Sequence, residues 1–130
     1  MQDINQKIDK ILQERILVLD GATGTMLQRY KLTEEDFSCE RFKNHSKPLK
    51  GNNDILALTQ PTIVAEVHRA YLTVGADIIE TNTFNSTSIS QGDYDTKDFV
   101  KEINVAAARI SRKVADEFTQ KDRSKPRFVA

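Results

Sequence analysis

The chain has almost no cysteine and no excess of either charge. One thiol, Cys39, in 130 residues rules out an internal disulfide framework and suits a reducing, cytoplasmic compartment. Lysine plus arginine and aspartate plus glutamate balance at 19 each, which removes the default attraction to nucleic acid or an anionic membrane. No apolar run approaches the roughly 20 residues needed to span a bilayer. The opening MQDINQKIDK also lacks the apolar centre of a secretory signal. Metal-binding spacing is missing too. Cys39 has no second thiol, His45 reads as a solvated loop residue, and His68 reads as a packing or helix-surface residue, so no four-ligand set can be assembled. Hydrophobic residues make up 38%, low for a compact domain, yet no long segment has a disordered composition. What remains is a soluble cytoplasmic chain of one domain's length.

Periodicity places the elements. Ile4, Ile8, Ile11 and Leu12 recur at helical spacing, predicting an amphipathic helix over 3–14 with Asp3 at its start. Ile16-Leu17-Val18-Leu19 is a short unbroken apolar run that suits a strand buried on both faces. Residues 31–53 are polar and irregular, a long connection in which Thr33-Glu34-Glu35-Asp36 caps one helical turn. Pro61 suits the first position of a helix whose face is Ile63, Val64, Val67, Tyr71 and Val74, with Gly75 as its stop. Asp77-Ile78-Ile79-Glu80 is a second strand, followed by a polar loop and a short helix near 86–91. A long helix carries Phe99, Val100, Ile103 and the apolar positions through Phe118. The charged stretch Lys121–Lys125 is a solvated turn, and Arg127–Ala130 starts a third strand. Strands alternating with helices predict an α/β fold of parallel-strand βα units. A parallel strand at the last residue has no partner to follow it, so the sequence reads as cut.

In such folds the loops leaving the C-terminal strand ends converge on the ligand-binding face. Here they carry Asp20, Gly21, Ala22, Thr23, Gly24 and Thr25, and then Glu80, Thr81, Asn82, Thr83, Phe84 and Asn85. Glycine-flanked amides at a helix start suit an anion, and an acid at the strand end suits a cation. Together they fit a zwitterion with its amine on Asp20 and its carboxylate on the amides of 21–25. A plain Asp-Gly turn, and polar side chains that only fasten neighbouring loops, stay open beside this reading. The glycine spacing is neither a dinucleotide fingerprint nor a phosphate-binding P-loop.

ILVLDGATGTM, ERF, LKGNNDILALTQP and GADIIETNTFNST, in that order, resemble the start of the cobalamin-dependent methionine synthase family over about Ile11 to Ala130. The resemblance implies a homocysteine-binding (βα)8 TIM-type barrel. Residues 1–130 would be a partial, truncated domain of it, with an N-terminal helix and the first three strands. In that family homocysteine is held as a zinc thiolate, a nucleophile at neutral pH. The methyl group comes from methylcobalamin, recharged by methyltetrahydrofolate. Asp20 matches a position that holds the substrate, the 21–25 backbone would meet its carboxylate, and Glu80 and Asn82 match polar positions around the pocket. The family's three zinc cysteines lie on later strands, and Cys39 stands for none of them.

The resemblance thus implies a methyltransferase parent that uses zinc and cobalamin. The chain itself is expected to be inactive alone, to bind no zinc or cobalamin, and to associate with copies of itself over roughly 2,000 Å² or more. Other readings are a betaine or S-methylmethionine homocysteine methyltransferase, which the wording of 51–60 argues against, a non-catalytic amino-acid-binding module, or a structural fragment. Zinc content and a homocysteine titration separate these.

Overall fold

The structure is a computed structural model and describes residues 3–130. The chain runs α1 (Ile4–Leu12), α2 (Thr23–Gln28), α3 (Glu34–Ser38), α4 (Leu56–Thr59), α5 (Pro61–Thr73), β1 (Ile78–Ile79), α6 (Ser88–Gly92), α7 (Val100–Lys121) and β2 (Phe128–Val129). Two 3-10 turns, Asn53–Ile55 and Lys97–Phe99, lead into α4 and α7. None of the described helices is long and apolar enough to cross a membrane.

β1 and β2 pair in parallel with Ile78 opposite Phe128 and Ile79 opposite Val129. On the other side of β1 the run at 16–19 contributes a single parallel bridge, Leu19 to Ile78, rather than the third strand the sequence suggests. Two carboxylates explain the shortening. The ladder is correct where it exists, with Ile78 N donating to Val18 O (3.2 Å) and Asp20 N to Ile78 O (2.9 Å). At one end, however, Asp77 Oδ2 takes the Val18 N–H at 2.9 Å. At the other, Asp20 Oδ1 takes the Glu80 N–H at 3.1 Å. Side chains thus occupy the donors that further rungs would use. The run is not buried on both faces either: Ile16 is 84% exposed, and Val18 and Leu19 are about half exposed.

α5 and α7 pack on each other, and the core forms around them with Leu27, Phe37, Phe42, Leu49, Ile55 and Leu56. Pro61 opens α5, where its missing N–H costs nothing. Val64, Val67 and Leu72 face inward, and Gly75 follows at φ +114°, a left-handed turn that L side chains strain to adopt. α7 buries Ile103, Ala107, Val114 and Ala115 and continues to Lys121, beyond the expected end at 118. α1 is three residues shorter than predicted and buries none of its side chains. Arg15, just after it, forms a bidentate pair with the buried Asp77 (2.8 and 2.9 Å).

The connection at 31–53 is more ordered than its composition suggests. Thr33 and Asp36 cap α3 reciprocally, as the Thr-x-x-acid spacing implies. Glu34 Oε1 and Oε2 take the amides of Leu49 and Lys50 at 2.6 and 2.7 Å. Those bonds draw Leu49 into the core beside Phe37 and Phe42. His45, read as solvated, instead bonds Tyr94 O through Nε2 at 2.7 Å. The turn at 121–125 is tied down as well, with Lys125 Nζ donating to Gly75 O at 3.0 Å.

Candidate functional site

The strand-end loops meet across an open cleft of about 600 Å³. Gly21, Ala22, Thr23 and Gly24 form one side. Glu80, Thr81, Asn82, Thr83, Phe84 and Asn85 form the other, and Gly51, Asn53, Asp54 and Ala130 complete the lining. Six of the eight residues singled out by the sequence therefore share one space. Thr25 does not line it. Asp20 is not in the lining itself; it immediately precedes Gly21 and holds the Glu80 N–H, both of which are.

Asp20 ends the short parallel bridge and joins the two loops through the Glu80 N–H. Its second oxygen, Oδ2, is buried and has no hydrogen-bond partner among the described residues. Burial pushes the Asp20 carboxyl up to about 6, against the opposing pull of the Glu80 N–H. A buried acceptor without a donor is uncommon in a folded protein. A cationic donor placed there would satisfy it and return the carboxyl to its ionised form.

The turn after Asp20 owes its shape to packing rather than to unusual glycine backbone, because the glycines at positive φ are Gly51 and Gly75. A Cβ at Gly21 would lie 3.6 Å from Tyr71 Oη and one at Gly24 3.6 Å from Asn53 Nδ2, both ordinary contacts. Tyr71 also donates its hydroxyl to Ala22 O at 3.2 Å, which fixes the residue before α2. The first intrahelical bond of α2 is Met26 N to Ala22 O (3.3 Å), so the amides of Thr23, Gly24 and Thr25 precede it and face outward along the helix axis.

The opposite wall is held from below. Asn82 is buried and donates Nδ2 to Asn53 O at 2.8 Å. Asn85 N and Ser86 Oγ both donate to Asp54 Oδ2 at 2.7 Å. Burial raises the Asp54 carboxyl above its usual range, with the Ser86 and Asn85 bonds opposing. Glu80 is exposed, and Phe84 stands 94% exposed at the rim. Sequence reasoning missed Asp54 and Tyr71 as site-supporting residues. The only trace of them was Asp54 following two asparagines, and Tyr71 as one member of a helical stripe.

These observations describe a cleft for something small and polar, and comparison with known proteins gives it a context. The family model for homocysteine S-methyltransferase matches residues 17–130. This chain belongs to the homocysteine S-methyltransferase family. Among solved structures it is similar to the homocysteine methyltransferase MmuM from Escherichia coli in its oxidized form, with a TM-score of 0.64 at 20% identity. The likeness covers 92% of this chain and 37% of that one, so the chain spans little more than a third of that relative's length. At this identity the match supports the fold. The α/β arrangement with parallel β1 and β2 corresponds to part of that fold.

The homocysteine S-methyltransferase resemblance raises the question of zinc. Among the described residues no three His, Cys, Asp or Glu side chains come together as a metal site. Cys39 Sγ lies 3.3 Å from Asp36 O, Thr59 O and Gln60 Nε2, a hydrogen-bonded pocket far from cation chemistry. His68 is fully buried on α5 with Nε2 3.0 Å from Ser111 Oγ. The described residues do not fit a zinc ion.

Proposed function

We propose that this chain carries the amino-acid end of the homocysteine site of a methyltransferase of the cobalamin-dependent methionine synthase type. The observation that carries the reading is the buried, unpartnered Asp20 Oδ2 at the C-terminal end of the bridge, three residues ahead of the first turn of α2. An ammonium supplies the donor that Oδ2 lacks, and the α2 amides suit the carboxylate of the same molecule. Glu80 and Asn82 line the space between. The wording LKGNNDILALTQP favours the methionine synthase type over betaine or S-methylmethionine enzymes.

In this reading homocysteine is the substrate partner, and the parent protein supplies, from later strands of the barrel, the zinc that makes the thiolate and, from its remaining domains, the methylcobalamin that holds the methyl group. Residues 3–130 contribute binding and orientation alone. Metal analysis of the purified chain is expected to show no stoichiometric zinc.

The test is calorimetric titration of L-homocysteine into the protein and its Asp20→Asn and Glu35→Gln variants. Glu35 is an exposed control, whereas Glu34 holds the Leu49 and Lys50 amides and is unsuitable. Loss of one charge-assisted bond is expected to cost about 1.5–3 kcal/mol in Asp20→Asn. Equal affinities for the two variants overturn the assignment.

A further inference from the structure

Three consecutive residues hold the cleft's far wall, Asn53 and Asp54 directly and Asn52 through Gln91. Asn52 Nδ2 donates to Gln91 Oε1 at 2.8 Å, Gln91 Nε2 returns to Asn52 Oδ1 at 3.1 Å, and the same Nε2 reaches Asn85 O at 3.1 Å. Asn53 O takes Asn82 Nδ2, and Asp54 Oδ2 takes Asn85 N and Ser86 Oγ. Asn52 and Asp54 are each 3% exposed, so water competes little for these bonds.

The middle grip has a chemical consequence. A backbone carbonyl only accepts, so the Asn53 bond decides which end of the Asn82 amide faces it. One N–H of the Asn82 amide is committed to Asn53, and Oδ1, which has no partner among the described residues, is the acceptor Asn82 can offer the cleft it lines. The lining also contains Asp54 and Glu80 and no Lys, Arg or His. With two carboxylates and no cationic side chain, this wall favours an ammonium over a carboxylate.

We propose that Asn52-Asn53-Asp54 is a positioning clasp that holds residues 82–86 and turns Asn82 into an acceptor for the ligand's ammonium, thereby setting the direction in which an amino acid lies in the cleft. The orientation rests on the amino-acid reading above, while the clasp itself does not. The ammonium end lies toward Asn82 and the strand end that carries Asp20, and the carboxylate is left to the α2 side.

Two measurements on the full 130-residue chain decide the matter. In amide hydrogen exchange without ligand, Asp54→Ala is expected to speed exchange at Asn85 and Ser86 by about tenfold, with α5 and α7 unchanged. Asp54→Asn keeps an acceptor oxygen and is expected to recover most of the protection. Unchanged exchange at Asn85, or an equal rise throughout the chain, overturns the clasp. In calorimetry, L-homocysteine is compared with 4-mercaptobutyrate, which lacks the ammonium. The wild type is expected to prefer homocysteine, and Asp54→Ala to lose about tenfold of that preference, with recovery in Asp54→Asn. Faster exchange with an unaltered preference overturns the acceptor role of Asn82. Wild type that binds neither compound overturns the amino-acid reading, and the exchange result still decides the clasp.

Discussion

Asn52 and Gln91 face each other as a reciprocal amide pair, 2.8 Å one way and 3.1 Å the other, and both are buried. Thr96 closes the group by donating Oγ1 to Gln91 Oε1 at 2.7 Å. The pair joins the turn at 51–54 to α6, elements separated by more than thirty residues of chain. Deleting one partner strands the other amide away from water. Asn52→Ala is therefore expected to cost about 2–3 kcal/mol in urea unfolding. Asn52→Ala combined with Gln91→Met should cost less than the sum of the single changes, because the second removes the stranded group. Simple additivity would show that the pair is not coupled.

Asp20 sets a pH dependence for ligand binding. Its carboxyl titrates near 6 because burial disfavours the charge, and an ammonium ligand needs the charged form. Between pH 7 and pH 5 the affinity for L-homocysteine is expected to fall about tenfold, since the amine stays protonated throughout and only Asp20 takes up a proton. Asp20→Asn should flatten that profile. A wild-type affinity independent of pH over this range would place the ammonium elsewhere.

His68 sets a pH dependence for stability with its own sign. Ser111 Oγ donates to Ala107 O at 3.0 Å, so His68 Nε2 carries the proton that reaches Ser111, and Nδ1 has no partner among the described residues. A second proton on Nδ1 would be buried and unpaired, and burial lowers the imidazole to about 4 from 6.5. The unfolded chain therefore takes up the proton first as pH falls. Stability from His68 is complete above about 6.5 and is lost as pH drops toward 4, by about 2 kcal/mol between pH 7 and pH 5. The raised carboxyl of Asp20 pushes the opposite way in part of this window. The measurement is accordingly the difference between wild type and His68→Leu, in which Asp20 contributes equally to both. An identical pH slope for the two proteins would mean that His68 does not titrate with folding.

Association is expected from the exposed sheet edge. Ile16, Val18 and Leu19 lie along it with about half or more of their surface open to solvent. Among the described residues the sheet is two paired strands with one bridge. Open edges of a parallel sheet are rarely left uncovered. Sedimentation velocity at micromolar concentration is expected to give a dimer, the arrangement in which a self-complementary contact closes. A compact monomer there would count against association, and Ile16→Lys should shift a dimer toward monomer.

Much of this protein was legible along the chain, for reasons that are local. Pro61 and Gly75 bracket α5 because each has a backbone constraint that acts without any partner. The spacing of Ile103, Ala107 and Val114 marks the buried face of α7 because helical period alone decides which side chains share a side. The loops after Leu19 and Ile79 could be paired on paper because parallel βα units send successive strand ends to one face. The tertiary structure decided what depends on partners distant in sequence. Asp77 and Asp20 cut the first strand to a bridge by taking ladder amides, which no reading of Ile16–Leu19 can foresee. Phe37, Phe42 and Leu49 follow no period, and Leu49 joins the two rings in the core where Glu34 binds the amides of a segment fifteen residues away. The same holds for Asn82, whose neighbours in sequence say nothing of Asn53. Periodicity reports the side on which a residue lies, whereas the hydrogen-bond partner of a buried polar group is set by whichever chain segment folding brings against it.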